Sequence, residues 1–325
     1  MRCINKFTAG FLSVIFCFTA AGCGGSETEI TNRYDLYDNS YKISEDAETE
    51  QVFFADRLCV GGFENIGTDT TDSQVAAGAG VFNTASGEIP YAQNIYDKLY
   101  PASTTKILTA YLAIQYGNLD DIVTISENAV NLDSDSSNCG LIAGDRMTLR
   151  DLLFGLMMKS GNDAAIAIAE HLSGSCEAFA AKMNEEARLL GATASHFVNP
   201  NGLPDENHYT SVYDLYLLFQ EAIGNETFCE LIKTPSYTTN YTHADGTAAT
   251  QDWTSTNLYF TGEATAPEGF SVIGGKTGTT GEAGYCLVLL SENSVGQRII
   301  SIVLKADCRS NLYLLMNQIL SGYGN

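Results

Sequence analysis

The sequence predicts an α+β fold: one sheet assembled from strands at both ends of the chain, with a helical lobe inserted between them. Two observations carry this expectation. Short apolar runs separated by turn residues occupy 75–82 and 89–92 near one end and 270–276, 284–290 and 299–304 near the other, the pattern of strands. The stretch between them spaces its apolar residues three and four apart, the pattern of helices. A chain of 325 residues with 45% hydrophobic content has the material for a sizeable core.

Residues 1–22 stand apart from that fold. Arg2 and Lys6 precede an apolar run over 7–21, shorter than the roughly 20 residues a membrane-spanning helix needs. Small residues then lead through Ala20-Ala21-Gly22 to Cys23, the layout of an export signal. They resemble a bacterial lipobox, with Ala20 where leucine is usual. Cys23 is therefore the expected lipidated N-terminus, and the protein is expected on the outer face of a bacterial cell membrane. An ordinary cleaved signal would leave it secreted instead. Residues 23–50, acidic and poor in apolar side chains, read as an extended tether. The folded domain is expected over 51–325.

Within that domain, 75–82 and 89–92 flank a polar turn and form a hairpin. A helix begins near Ser103, with Ile107, Leu108, Tyr111, Leu112 and Ile114 at helical spacing. Leu149, Leu152, Leu153, Leu156 and Met157 mark a second, which ends at a loop holding Ser160. Residues 165–172 and 179–190 supply two more. Ser211-x-x-Asp214 reads as a capping box before Leu215, Leu218 and Phe219. Three strands and a closing helix over 310–320 complete the chain.

Composition removes several functions. With 17 basic against 39 acidic residues, net −22, the chain lacks the basic surface that nucleic acid demands. The same acidity disfavours direct docking on anionic lipid. Cys59, Cys139, Cys176, Cys229, Cys286 and Cys308 contain no C-x-x-C, and His171, His196, His208 and His243 no H-E-x-x-H. Neither a metal site nor another cofactor is expected from them. Outside the cytoplasm the six cysteines allow three disulfides, whose pairing their spacing does not name.

The chemistry is carried by three short words: Ser103-Thr104-Thr105-Lys106, Ser160-Gly161-Asn162 and Lys276-Thr277-Gly278. On a helix, residues three apart share a face, which puts Lys106 beside Ser103. A serine hydroxyl is a weak nucleophile without a base. Lys106 serves as that base only if desolvation and the positive helix end hold its amine uncharged. Ser160 would relay a proton to a leaving amine, and Asn162 would hold a substrate carbonyl. Lys276-Thr277-Gly278 ends a strand preceded by Gly274-Gly275, and a glycine-lined edge accepts an extended peptide by backbone pairing. The Thr279 N–H would join the helix start as an oxyanion donor. Asn199, Asn201 and Asp205 shape a turn near the site, while Trp253, Tyr237, Tyr241 and Tyr259 pack.

In this order the three words are the established signature of penicillin-binding proteins and class A β-lactamases. With Pro101-Ala102 before the first, Asp163-Ala164 after the second, Phe-Val-Asn-Pro-Asn-Gly-Leu at 197–203, and Thr279-Thr280 and Ala283-Gly284 after the third, the chain from Val75 onward resembles the serine D-Ala-D-Ala carboxypeptidases. These are the low-molecular-mass penicillin-binding proteins. The resemblance implies the β-lactamase/transpeptidase-like fold, a mainly antiparallel sheet with helices on both faces and a helical lobe. It also implies a peptidoglycan stem peptide ending in D-Ala-D-Ala as substrate, and β-lactams as covalent inhibitors. Carried over by position, Ser103 is the nucleophile, Lys106 its base and Ser160 a proton relay. Asn162, Lys276, Thr277, Gly278 and Thr279 would bind substrate, with Arg309 meeting its terminal carboxylate. Lys305 stands where relatives often have glycine. Many relatives continue into a β-rich domain and an amphipathic helix, whereas this sequence ends at Asn325, so lipid on Cys23 is expected to supply the anchor. The alternatives are a β-lactamase, disfavoured by Ser160-Gly161-Asn162 where class A enzymes show Ser-Asp-Asn, and a non-catalytic wall-binding or antibiotic-sensing lipoprotein.

Overall fold

The computed structural model describes residues 58–325. The expected signal, the tether and the lipidation site at Cys23 lie outside the described residues. Strands β1 (Ala76–Asn83) and β2 (Glu88–Gln93) form the expected hairpin. A tight 3-10 turn over Ala102–Thr105 leads into helix α1 (Lys106–Tyr116). Then come β3 (Ile122–Thr124), α2 (Glu127–Val130), β4 (Arg146–Thr148), α3 (Leu149–Met158), α4 (Asn162–Ser173) and α5 (Cys176–Leu189). Helices α6 (Val212–Ala222) and α7 (Glu226–Lys233) precede the β5 (Ser236–Thr242) and β6 (Ala248–Thr254) hairpin and short α8 (Leu258–Thr261). Strands β7 (Ser271–Thr280), β8 (Gly284–Glu292) and β9 (Arg298–Ala306) and helix α9 (Arg309–Tyr323) finish the fold.

The main sheet has the order β2-β1-β9-β8-β7, antiparallel throughout. Its two edges come from distant parts of the sequence, as expected. Side chains alternate faces along a strand. Cys286, Val288, Leu290, Ile300, Ile302 and Leu304 join the core shared with the helical lobe. Leu287, Leu289, Ile299 and Val303 meet Leu312, Leu315, Met316 and Ile319 of α9. With both faces covered, β8 reads as an unbroken apolar run and β9 as one broken only by Ser301, and each such apolar side chain stabilises by about 1.5–3 kcal/mol on burial.

Three expectations need correction. A second sheet, of order β3-β4-β5-β6, lies within the inserted part of the chain, where only helices were expected. Its long strands are rich in Thr, and only Thr239 and Trp253 in them are buried, so the apolar pattern that marks a buried strand is missing. The helix expected near Ser103 begins at Lys106, with Ser103 in the 3-10 turn ahead of it. Strand β7 does not end at Lys276-Thr277-Gly278 but runs on to Thr280, because β8 pairs with it as far as Thr280–Gly284.

Helix α1 positions the site. Every residue from Lys106 to Ala113 is buried, since α3, α4, α6 and α7 all pack around it. A helix enclosed on all sides is apolar all round, and Lys106 is its first residue. At α6 the Ser211 side chain accepts the Asp214 N–H at 3.0 Å, but the Asp214 carboxylate accepts Ser195 Oγ–H at 2.7 Å instead of closing a capping box.

Candidate active site

In a 3-10 turn side chains three apart eclipse one another, and Lys106 Nζ lies 2.9 Å from Ser103 Oγ. The same nitrogen is 2.7 Å from Asn162 Oδ1 and 2.6 Å from the Asn201 carbonyl. Lys106 is fully buried, and desolvation, followed by repulsion from Lys276, drives its amine well below the usual lysine range. A neutral amine has two hydrogens and one lone pair. Asn162 Oδ1 and the Asn201 carbonyl can only accept, so they take both hydrogens. The lone pair is left facing the Ser103 hydroxyl, the arrangement a base requires.

Ser160 sits in the short loop between α3 and α4. Its Oγ accepts from Lys276 Nζ at 2.9 Å, and that amine also donates to the Thr277 carbonyl at 2.7 Å. Burial alone lowers the Lys276 pKa to about 7. Strand β7 lies against the Ser103 turn so closely that a Cβ on Gly278 would stand 2.9 Å from Ser103 N. Only glycine permits that approach. On the far side Gly202, at φ +85, faces the turn where a Cβ would meet the Ala102 carbonyl oxygen at 1.9 Å. Ala102 at φ 48 and Ser160 at φ 57 are held in the left-handed region, a conformation that costs non-glycine residues about 1–2 kcal/mol and clusters at functional sites.

A cavity of about 150 Å³ is lined by Ser103, Ser160, Thr277, Gly278, Thr279 and Arg309, among others. The three words and Arg309 thus meet at one crevice, between the sheet and the helical lobe. Asn162, behind Ser103, lines an adjoining cavity with Thr279. Gly274 serves a different end from the one expected of it. A Cβ there would meet the Ile232 carbonyl oxygen at 2.1 Å, so this glycine admits α7 rather than a ligand.

A family model for D-alanyl-D-alanine carboxypeptidase matches residues 66–308, a span that takes in all three words. The chain belongs to the D-alanyl-D-alanine carboxypeptidase family. It is 35% identical over 234 residues to the D-alanyl-D-alanine carboxypeptidase DacF of Bacillus subtilis, covering 68% of this chain and 55% of that protein. It is 33% identical over 246 residues to a D-alanyl-D-alanine carboxypeptidase of Streptomyces sp. strain K15, covering 72% of this chain and 82% of the other. Among solved structures, the Streptomyces K15 DD-transpeptidase superposes with a TM-score of 0.70 at 31% identity, covering 76% of this chain and 96% of that one. The fold is therefore the penicillin-binding, transpeptidase-like one.

Several groups at this family site escaped the sequence reading. The Asn201 backbone carbonyl is a partner of Lys106, which no side-chain pattern reveals. Ser136 Oγ accepts from Asn162 Nδ2 at 2.6 Å and so turns the amide oxygen toward Lys106. Buried Asp163 accepts from Cys139 N at 2.8 Å and Leu141 N at 3.3 Å, tying the loop after Ser136 to α4. His208, read as a core or surface histidine, is buried, and its Nε2 lies 2.8 Å from Thr105 Oγ1 within the Ser103 turn. Its Nδ1 accepts the Val198 N–H at 3.2 Å, so Nε2 carries the hydrogen, and burial lowers its pKa to about 4. Trp253 packs as expected, its Nε1 3.4 Å from the Cys139 carbonyl.

Proposed function

We propose that this protein is a serine D,D-carboxypeptidase that removes the terminal D-Ala from peptidoglycan stem pentapeptides through an acyl-serine intermediate. The observation that carries the reading is a buried lysine amine, its charge suppressed, facing the Ser103 hydroxyl at 2.9 Å. Ser103 Oγ adds to the carbonyl of the penultimate D-Ala as its proton passes to Lys106 Nζ. The backbone N–H groups of Ser103 and Thr279 receive the oxyanion. Collapse breaks the C–N bond, and the leaving amine takes a proton through Ser160, which Lys276 holds. Arg309 and the Thr277 and Thr279 hydroxyls suit the terminal carboxylate. Water then adds to the ester, Lys106 again accepts the proton, and the stem leaves one D-Ala shorter. A β-lactam amide enters by the same first step and stays as an acyl-enzyme. Mass analysis of products from a defined pentapeptide tests this: one D-Ala per peptide is expected, and release that persists in Ser103→Ala would refute it.

The Streptomyces relative is named a carboxypeptidase in one comparison and a transpeptidase in the other. Transfer to an amine is therefore the second reading, and a shift of product toward a glycyl adduct when glycine is added would favour it. Rapid release of hydrolysed penicillin would favour a β-lactamase instead. The lipobox-like Ala20-Ala21-Gly22-Cys23 supports anchoring on the outer face of the cell membrane. Cys23→Ala is expected to move the protein from the membrane fraction to the medium or periplasm.

A further inference from the structure

His208 is a buried titratable side chain beside the site that takes no part in the reaction steps. One of its ring nitrogens reaches the Ser103 turn and the other the 197–203 loop. Its mount is rigid. Tyr209 and Thr210, the next two residues, pair through their backbones with His196 and Leu99. The Phe197 ring meets the imidazole edge-on, with centroids 5.5 Å apart. The loop that His208 grips supplies the Asn201 carbonyl, 2.6 Å from Lys106 Nζ. This segment is neither helix nor strand, so side chains have to fix it. Thr109 Oγ1 donates to the Pro200 carbonyl at 2.6 Å, and Asn199 Oδ1 accepts the Gly202 N–H at 2.7 Å. At the loop's entry His208 Nδ1 accepts the Val198 N–H at 3.2 Å, and on its other side the ring meets Thr105, the residue before Lys106.

We propose that His208 is a positioning residue for the general base: its uncharged ring, bonded to Val198 and to Thr105, sets the Asn201 carbonyl against Lys106. This rests on the Ser103–Lys106 reading and deepens it. The carbonyl takes one of the two hydrogens of the neutral amine, so a displaced carbonyl lets the lone pair turn away from Ser103. The ring can do this only while neutral. The Val198 N–H needs a lone pair at Nδ1, whereas an imidazolium carries hydrogens on both nitrogens, and protonation would set two donors face to face. Burial is the main cause that keeps the ring uncharged; His196 and Lys106 act in the same direction and Asp205 opposes them. His208 bonds to neither Ser103 nor Lys106 among the described residues, so it acts through the loop and not on the reacting atoms.

The test compares His208→Asn with His208→Leu in the rate at which benzylpenicillin acylates Ser103. Asparagine puts its Oδ1 close to where Nδ1 stood and still accepts from Val198, while leucine fills the space with no acceptor. The asparagine variant is expected within about five-fold of the wild type, the cost of the lost Thr105 bond. The leucine variant is expected to be about 10²-fold slower, as for a misplaced reacting group, even where its urea midpoint equals or exceeds that of the asparagine variant. Acylation near the wild-type rate by folded His208→Leu would overturn the proposal, because a ring that only fills space predicts it. So would equal slowing of both variants. Nitrogen NMR of histidine-labelled wild type decides the matter should the leucine variant not fold. One ring, identified by its loss in His208→Asn, is expected to stay neutral with its hydrogen on Nε2 at about pH 5, a unit above where it titrates; a charged ring there, or a hydrogen on Nδ1, would overturn the proposal. Failure of benzylpenicillin to acylate the wild type would sink the acyl-serine reading, and this inference with it.

Discussion

Lys106 and Lys276 lose their water on folding to stand beside the hydroxyls of Ser103 and Ser160. Lys106 has no substitute for its lone pair, so Lys106→Met is expected to slow acylation by benzylpenicillin about 10²–10⁴-fold, the range for a lost general base. Lys276 titrates at about 7, so its charge fades as the pH rises past neutrality. If the cation assists an anionic substrate, acylation falls on that alkaline side, and Lys276→Arg, charged throughout, should flatten the fall in a pH–rate profile. Stability moves the other way. Above about pH 7 the folded chain releases this proton, while the unfolded chain holds it to about 10.4. The unfolded state then binds more protons, so stability rises with pH over that window. Urea midpoints should show this rise in the wild type and a smaller one in Lys276→Gln. The sequence told of these lysines because two short words name them, Ser103-Thr104-Thr105-Lys106 and Lys276-Thr277-Gly278. It was silent on the Asn201 carbonyl and on the left-handed Ala102 and Ser160, because backbone geometry leaves no signature in residue type.

The elements were legible where burial imposes a pattern. Strands β8 and β9 announce themselves as apolar runs, and α1 by its spacing. The β5–β6 hairpin was missed because it buries only Thr239 and Trp253, although Asp245-Gly246 between Thr- and Tyr-rich runs is itself a turn signal. Two glycine-related predictions belong here. Gly202→Ala would force a methyl to 1.9 Å from the Ala102 oxygen at a positive φ, so a loss of several kcal/mol, about 3 or more, and loss of acylation are expected together. The converse applies at Lys305, which β9 holds at φ 56, and where relatives were expected to carry glycine. Lys305→Gly should stabilise by up to about 1 kcal/mol, the left-handed strain relieved less the added backbone entropy, read as a higher urea midpoint with activity unchanged.

Across the whole molecule, the six cysteines of the described residues are free. Cys59, Cys139 and Cys286 are buried, and Cys286 points into the core shared with the helices. Alkylation after unfolding without reductant should therefore label all six, and a reductant should leave the melting temperature where it was. The order of the sheet has a further consequence for synthesis. The hairpin of β1 and β2 is made first, yet its neighbour β9 is the last strand, and Arg309 opens the final helix. A nascent chain thus carries Ser103 and Lys106 long before it has β7, the strand packed against their turn. A chain cut short ahead of β7 therefore lacks Thr277, Gly278, Thr279 and Arg309, and with them one wall of the crevice.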